Sequence, residues 1–306
     1  DDSLELACRM HHEPFGSADH AAGSGQREMG DRNKDAALTA DRVGDAQCTD
    51  GEQASRAIEG AGTTELAWQN WPGLHTLPLV QAAQLVPEGC RAWVIAPHPD
   101  DEILGCGGLI RSLVALGRAV TVLAVTDGTA SHPGSALWTP EQLGQIRASE
   151  SLQALEELGT PDVALFRLGF DDGQLMAQAR RLQEVLERRL APRDVVFATW
   201  QLDGHPDHEA VGAAALAAAA KTGATVIQVP VWMWHWARPG DPRVPWPNAV
   251  RLQLDLPGHA AKQRAAACFR SQLQSDPTTG NDAIVGPGAL ERLMRREEVF
   301  FMPNTR

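Results

Sequence analysis

Five short apolar runs, at 92–96, 119–125, 163–168, 195–199 and 225–231, are spaced along the chain with helix-length segments between them. Runs of this length and character read as buried strands. The segments at 104–116, 139–158, 174–190 and 208–221 read as helices. Thr139 is a natural N-cap with Pro140 at the first helical position, and Gly159 stands where a helix end favours glycine. A further short helix is expected at 74–85. Strands alternating with helices predict an α/β chain with a mostly parallel sheet covered on both faces. Ligands of such sheets bind beyond the carboxyl ends of the strands.

The first 65 residues do not share this pattern. Large apolar side chains are sparse before residue 60, and all nine Trp lie at or beyond Trp68. Such a segment buries too little surface to offset its ordering entropy, so 1–65 is expected to be a disordered acidic tail and 66–306 the folded domain. His11, His12 and His20 read as solvated. Residues 1–60 hold 13 acidic and 6 basic residues, so the tail supplies most of the net charge of -12. That charge argues against nucleic acid as a partner. No apolar run is long enough to span a membrane, and no signal-peptide pattern opens the chain. The start at Asp1 is consistent with a fragment or a processed form. Five scattered cysteines without a CxxC pair suggest reduced thiols and a cytoplasmic setting.

Two histidine motifs carry the chemistry. Pro97-His98-Pro99-Asp100-Asp101-Glu102 follows the first strand, and Asp203-Gly204-His205-Pro206-Asp207-His208 follows the fourth. Amide hydrolysis needs an activated water, a polarised carbonyl and a protonated leaving nitrogen. A zinc ion on three protein ligands keeps a position open for water and lowers its pKa to about 7. His98, Asp101 and His208 supply two imidazoles and a carboxylate for that purpose. The same set resembles an iron(II) facial triad, so Fe2+ or another divalent metal stays open beside Zn2+. Asp100 cannot point the same way as Asp101 and is placed to act as a base. His205 is placed to present a protonated imidazole to the oxyanion. The chain has no Tyr to share that task.

These two motifs resemble the signatures of the PIG-L/LmbE-like zinc-dependent N-deacetylases, a small residue or Pro before His-Pro-Asp-Asp-Glu and a later His-Pro-Asp-His. The resemblance spans roughly residues 92–272. It implies a Rossmann-like three-layer α/β sandwich and a small N-acetylated substrate, an amino sugar or its conjugate. It implies metal ligation by His98, Asp101 and His208, with Asp100 as general base and His205 at the oxyanion. Arg147-Ala148-Ser149-Glu150, the 168–173 loop and Arg270-Ser271-Gln272 are weaker echoes of the same family.

Other features read two ways. Arg147 is either a substrate contact or a helix-surface partner of Glu150 or Glu141. Asp172 is either a substrate contact or a turn residue before Gly173, and Asp127-Gly128 reads first as a turn. Trp232, Trp234 and Trp236 would share one face of a strand, lining the pocket, a core or an oligomer interface. His235 reads as a satisfied histidine rather than a fourth ligand. Gly105-Cys106-Gly107-Gly108 reads as small residues that let a helix approach the sheet, with Cys106 a buried thiol. The expected function is N-deacetylation. An amidase for a larger acyl amide and a non-catalytic metal- or sugar-binding module are the alternatives.

Overall fold

The computed structural model describes residues 56–304. The reading of residues 1–55 as tail, with His11, His12 and His20, lies outside the described residues. Residues 56–64 fall within the segment read as tail, yet they are tied to the body: Thr63 Oγ1 donates to Ala237 O at 2.6 Å.

Among the described residues, eight strands form one sheet: β1 (Leu79–Val80), β2 (Ala92–Ala96), β3 (Val120–Thr126), β4 (Ala164–Phe170), β5 (Val195–Thr199), β6 (Thr225–Val229), β7 (Ala249–Gln253) and β8 (Glu297–Phe301). Their order is β1-β7-β8-β6-β5-β2-β3-β4. All neighbours pair in parallel except β8, which runs antiparallel to both β6 and β7. The five expected strands are β2 to β6, shifted by a residue or two at their ends.

Period-two alternation builds the three layers. Val94, Val122, Phe197 and Ile227 pack on one face with Ile103, Leu109 and Leu113 of the helix Asp101–Ala115. Trp93, Ile95, Leu123, Val196 and Val226 face the other way, onto the helices Leu175–Glu187 and Pro206–Thr222. A β-carbon on Gly105 would lie 2.7 Å from Val229 Cγ1, so the small residues after the first motif do allow close approach of helix and sheet.

Three expectations change. The segment 74–85 is not one helix; it holds the end of one short helix, strand β1 and a second short helix, Ala82–Leu85. The chain at 232–236 is not a strand; Met233–Trp236 is helical. The cause is Asp203, whose carboxylate accepts the N–H groups of Val231, Trp232 and Met233 at 2.9–3.0 Å and curls the chain after β6. The three Trp therefore part company. Trp234 packs edge-on against Trp68 and Trp236 stacks on Trp200, both in a buried cluster, while Trp232 turns elsewhere.

Candidate active site

The chain leaves β2 toward β3 on one side and returns to β5 on the other. The carboxyl ends of β2 and β5 therefore flank the switch point of the sheet, where such folds open a crevice. The first motif leaves β2 and the second leaves β5, so adjacent strands deliver both.

Each motif is a strand-to-helix turn. Asp100 precedes the helix Asp101–Ala115 with φ 134°, the only non-glycine residue with positive φ among the described residues. Such a backbone costs on the order of 1–3 kcal/mol and survives where the surroundings over-determine it. Here they do. Arg147 Nη2 donates to Pro99 O at 2.7 Å and to Asp100 Oδ2 at 3.3 Å, and its Nη1 donates to Gly128 O at 3.0 Å. Glu102 accepts from Asp100 N at 3.0 Å and from Ser151 Oγ at 2.7 Å. The Asp100 carboxylate faces Arg147, while that of Asp101 faces His98 and His208. At the second motif His205 caps the helix Pro206–Thr222, its Nδ1 accepting from Asp207 N at 3.2 Å.

The donor atoms of His98, Asp101 and His208 lie within 4.8 Å of one another. Asp101 Oδ2 is 3.4 Å from His98 Nδ1 and 3.2 Å from His208 Nε2. That Nε2 is fully buried and has no hydrogen-bond partner, an orphan that a metal bond would satisfy. The other nitrogen of each imidazole faces carboxylate. His208 Nδ1 donates to Asp203 Oδ2 at 2.9 Å, and His98 Nε2 lies 3.3 Å from Asp207 Oδ2 and 3.2 Å from Asp172 Oδ1. Carboxylate–histidine pairs of this kind fix tautomer and ring orientation in metal sites. The residues fit a divalent cation such as zinc.

The electrostatics agree. Burial opposes protonation of both imidazoles, yet the carboxylates prevail: His98 is raised well above its usual value and His208 to about 9. Burial also opposes ionisation of Asp101, but His208 and His98 hold it well below the carboxylate range. The surroundings thus favour positive charge at this point. Burial pushes Asp100 up to about 7, against the pull of Arg147. Burial, with His208 and His98 beside it, takes His205 down to about 3. These surroundings favour the neutral ring over the protonated imidazole expected, and Nδ1 accepting from Asp207 N directs the proton of a neutral ring to Nε2.

A cavity of about 450 Å³ opens over these groups and is lined by His98, Asp100, Asp101, His205 and His208. Arg147 and Asp172 line it too. Arg147 is 2% exposed and faces Asp100, so it is no helix-surface partner of Glu141 or Glu150. Asp172 is held by His98 and by Ala130 N, which donates at 2.7 Å, and burial opposes while His98 enforces a pKa of about 2. Trp232 also lines the cavity, whereas His235 lies outside it, hydrogen-bonded to Glu59 O and Arg292. Sequence reasoning assigned no task to Asp203, Asp207 or Glu102. The signal was present for the first two: a buried imidazole that gives one nitrogen to a metal needs a carboxylate for the other.

Residues 93–219 match the family model for PIG-L, the GlcNAc-PI de-N-acetylases. The match covers less than half of the chain. The matched stretch contains both motifs and runs from β2 to the helix after β5. The chain is 31% identical over 135 residues to a probable N-acetyl-alpha-D-glucosaminyl L-malate deacetylase 2 of Bacillus cereus, covering 42% of this chain and 60% of that one. It is 29% identical over 120 residues to the diacetylchitobiose deacetylase of Thermococcus kodakarensis, covering 39% and 45%. The matches thus span about half the length of these two relatives. The fold is similar to that of the solved A40926 pseudoaglycone deacetylase Dbv21, at TM-score 0.53, 21% identity, and coverage of 69% of this chain and 96% of that one.

Proposed function

We propose that the chain is a zinc-dependent hydrolase that removes an N-acetyl group from an amino sugar or its conjugate. The observation that carries the reading is the convergence of His98, Asp101 and His208 on an orphaned, buried Nε2, with Asp100 and His205 in the same cavity. The similarity to two amino-sugar deacetylases, of Bacillus cereus and Thermococcus kodakarensis, supports the substrate class.

His98, Asp101 and His208 hold the metal. When bound, zinc polarises the amide carbonyl and brings the pKa of water to about 7; iron(II) suits the same donors. Asp100 takes the proton of the attacking water. A base with a pKa near working pH is matched to that task. The Nε2–H of His205 donates to the oxygen on which negative charge develops. Protonated Asp100 then returns its proton to the leaving nitrogen, and acetate and free amine result. Arg147 holds the Asp100 turn and, with Asp172, lines the space for the sugar.

Acetate release from a panel of N-acetyl amino sugars tests the reading with metal-free, zinc-restored and zinc-restored Asp100→Ala protein. Zinc-dependent release that vanishes in Asp100→Ala is expected. Zinc-loaded protein that releases acetate from no member would redirect the assignment to a larger amide or a binding module, and protein that binds no metal would overturn it.

A further inference from the structure

The family match begins at residue 93, yet the cavity does not consist of family-matched residues alone. One part of its wall is Ile58. The segment that carries it is strapped across the turn after β6. Arg56 pairs with Glu209 at 3.0 Å. Thr63 N donates to His235 O at 2.9 Å. Arg292 Nη1 donates to Thr63 O at 2.8 Å and Ala61 O at 3.3 Å. Arg292 Nη2 donates to His235 Nδ1 at 3.0 Å, which leaves His235 Nε2–H to donate to Glu59 O at 3.0 Å. Gly62, at φ 63°, lies against the imidazole so closely that a β-carbon would sit 2.7 Å from it. His235 and Arg292 are 8% and 3% exposed. Two buried side chains thus fix the backbone that follows Ile58, and the Arg56–Glu209 pair holds the chain two residues before it.

The wall reached by this strap is apolar. Ile58, Leu104, Val231, Trp232, Ile284 and Leu293 line the cavity together with the charged groups of the two motifs. A volume of about 450 Å³ lies in the range that holds a drug-sized ligand, roughly 300–1,000 Å³. An acetyl group fills a small part of it, and a sugar hydroxyl gains nothing from Ile58 or Ile284.

We infer that residues 56–63 are part of the substrate site, that Ile58 is a specificity-determining residue for an alkyl or aryl group carried beside the scissile amide, and that His235 and Arg292 position it. The inference rests on the deacetylase reading. The apolar group arrives either as an aglycone or as a longer acyl chain, and the two sources present the same surface to Ile58.

The test uses the full chain loaded with zinc. Its substrates are the methyl and octyl glycosides of N-acetylglucosamine, and N-octanoylglucosamine. An octyl-bearing substrate is expected to show the higher kcat/KM; the octyl glycoside identifies an aglycone and the octanoyl amide an acyl chain. Ile58→Ala should reduce that preference over the methyl glycoside about tenfold, through KM rather than kcat. His235→Ala should reproduce the effect with metal content unchanged. Ile58→Val provides the same comparison with a smaller loss if the larger truncation does not fold. An equal preference in wild type and Ile58 variants overturns the inference, while hydrolysis of the methyl glycoside leaves the deacetylase reading intact. If no substrate is hydrolysed, calorimetric binding of the octyl glycoside decides. Tenfold weaker binding in Ile58→Ala sustains the inference without the deacetylase reading, and unchanged or absent binding overturns it.

Discussion

Asp203 Oδ2 accepts the Nδ1 proton of His208 at 2.9 Å, and both side chains are fully buried. The bond settles which tautomer His208 adopts and leaves Nε2 as the lone-pair donor. Asp203→Ala should therefore weaken zinc binding by about 10–100-fold, measured by competition with a chelator. Undiminished affinity would mean that His208 is not a ligand.

Asp100 occupies the cavity without belonging to the donor set. Asp100→Asn should keep one zinc per chain and lose about 10²–10⁴ in kcat. Metal analysis alongside acetate release separates the two effects, and loss of zinc would place Asp100 among the ligands instead.

Arg147 ties Pro99, Asp100 and Gly128 together from the helix Pro140–Glu157. Arg147→Met leaves two buried carbonyls without their donor and frees the strained turn. Asp100, with its raised pKa, can neutralise itself by taking a proton, so the loss is about 1–3 kcal/mol rather than that of a stranded charge. Urea denaturation of the metal-free protein reads it. Activity should fall as well, because the base loses its support.

Lys262 and Glu298 form an ion pair at 2.7 Å with both side chains 1% exposed. Glu298 also accepts the N–H groups of Gly108 and Leu109, inside the helix that follows the first motif. Lys262→Met should cost about 3–5 kcal/mol, because a buried carboxylate loses its counter-charge. Adding Glu298→Leu should not restore stability, since two helix N–H groups then lose their acceptor. Recovery to wild-type stability in the double variant would contradict this account.

Burial pushes the Cys106 thiol well above its usual value, so its reactive thiolate stays scarce as pH rises from 7 to 9. Native protein treated with iodoacetamide at pH 8 should be alkylated at Cys90, which is partly exposed, well before Cys106. Peptide mass analysis over time gives the order.

Much of this site could be read in the sequence. His98, Asp101 and His208 sit at strand-to-helix turns because the strands before them are continuous apolar runs that announce themselves. Strands β7 and β8 were missed for the opposite reason. Ala249–Gln253 contains Arg251, and Glu297–Phe301 opens on two carboxylates, so neither shows an unbroken apolar pattern. Glu298 is inward-facing, with a partner 36 residues away, which no local pattern reveals. The helical turn at Met233–Trp236 was hidden likewise: its cause is a carboxylate about 30 positions earlier in the chain. Ile58 lay in a stretch whose composition says tail. Its place in the cavity depends on His235 and Arg292, far along the chain.

The position of β8 has a consequence for the order of assembly. It separates β6 from β7 and, among the described residues, is the only strand that joins β7 and β1 to the rest of the sheet. During synthesis, β2 to β6 can pair as soon as they emerge, but β1 and β7 have no seat until residue 301 has been made. The sheet is thus finished by insertion of its last strand into the interior rather than by addition at an edge. Until that moment β6 exposes an unpaired edge, the kind of surface that recruits chaperones or another copy of the chain.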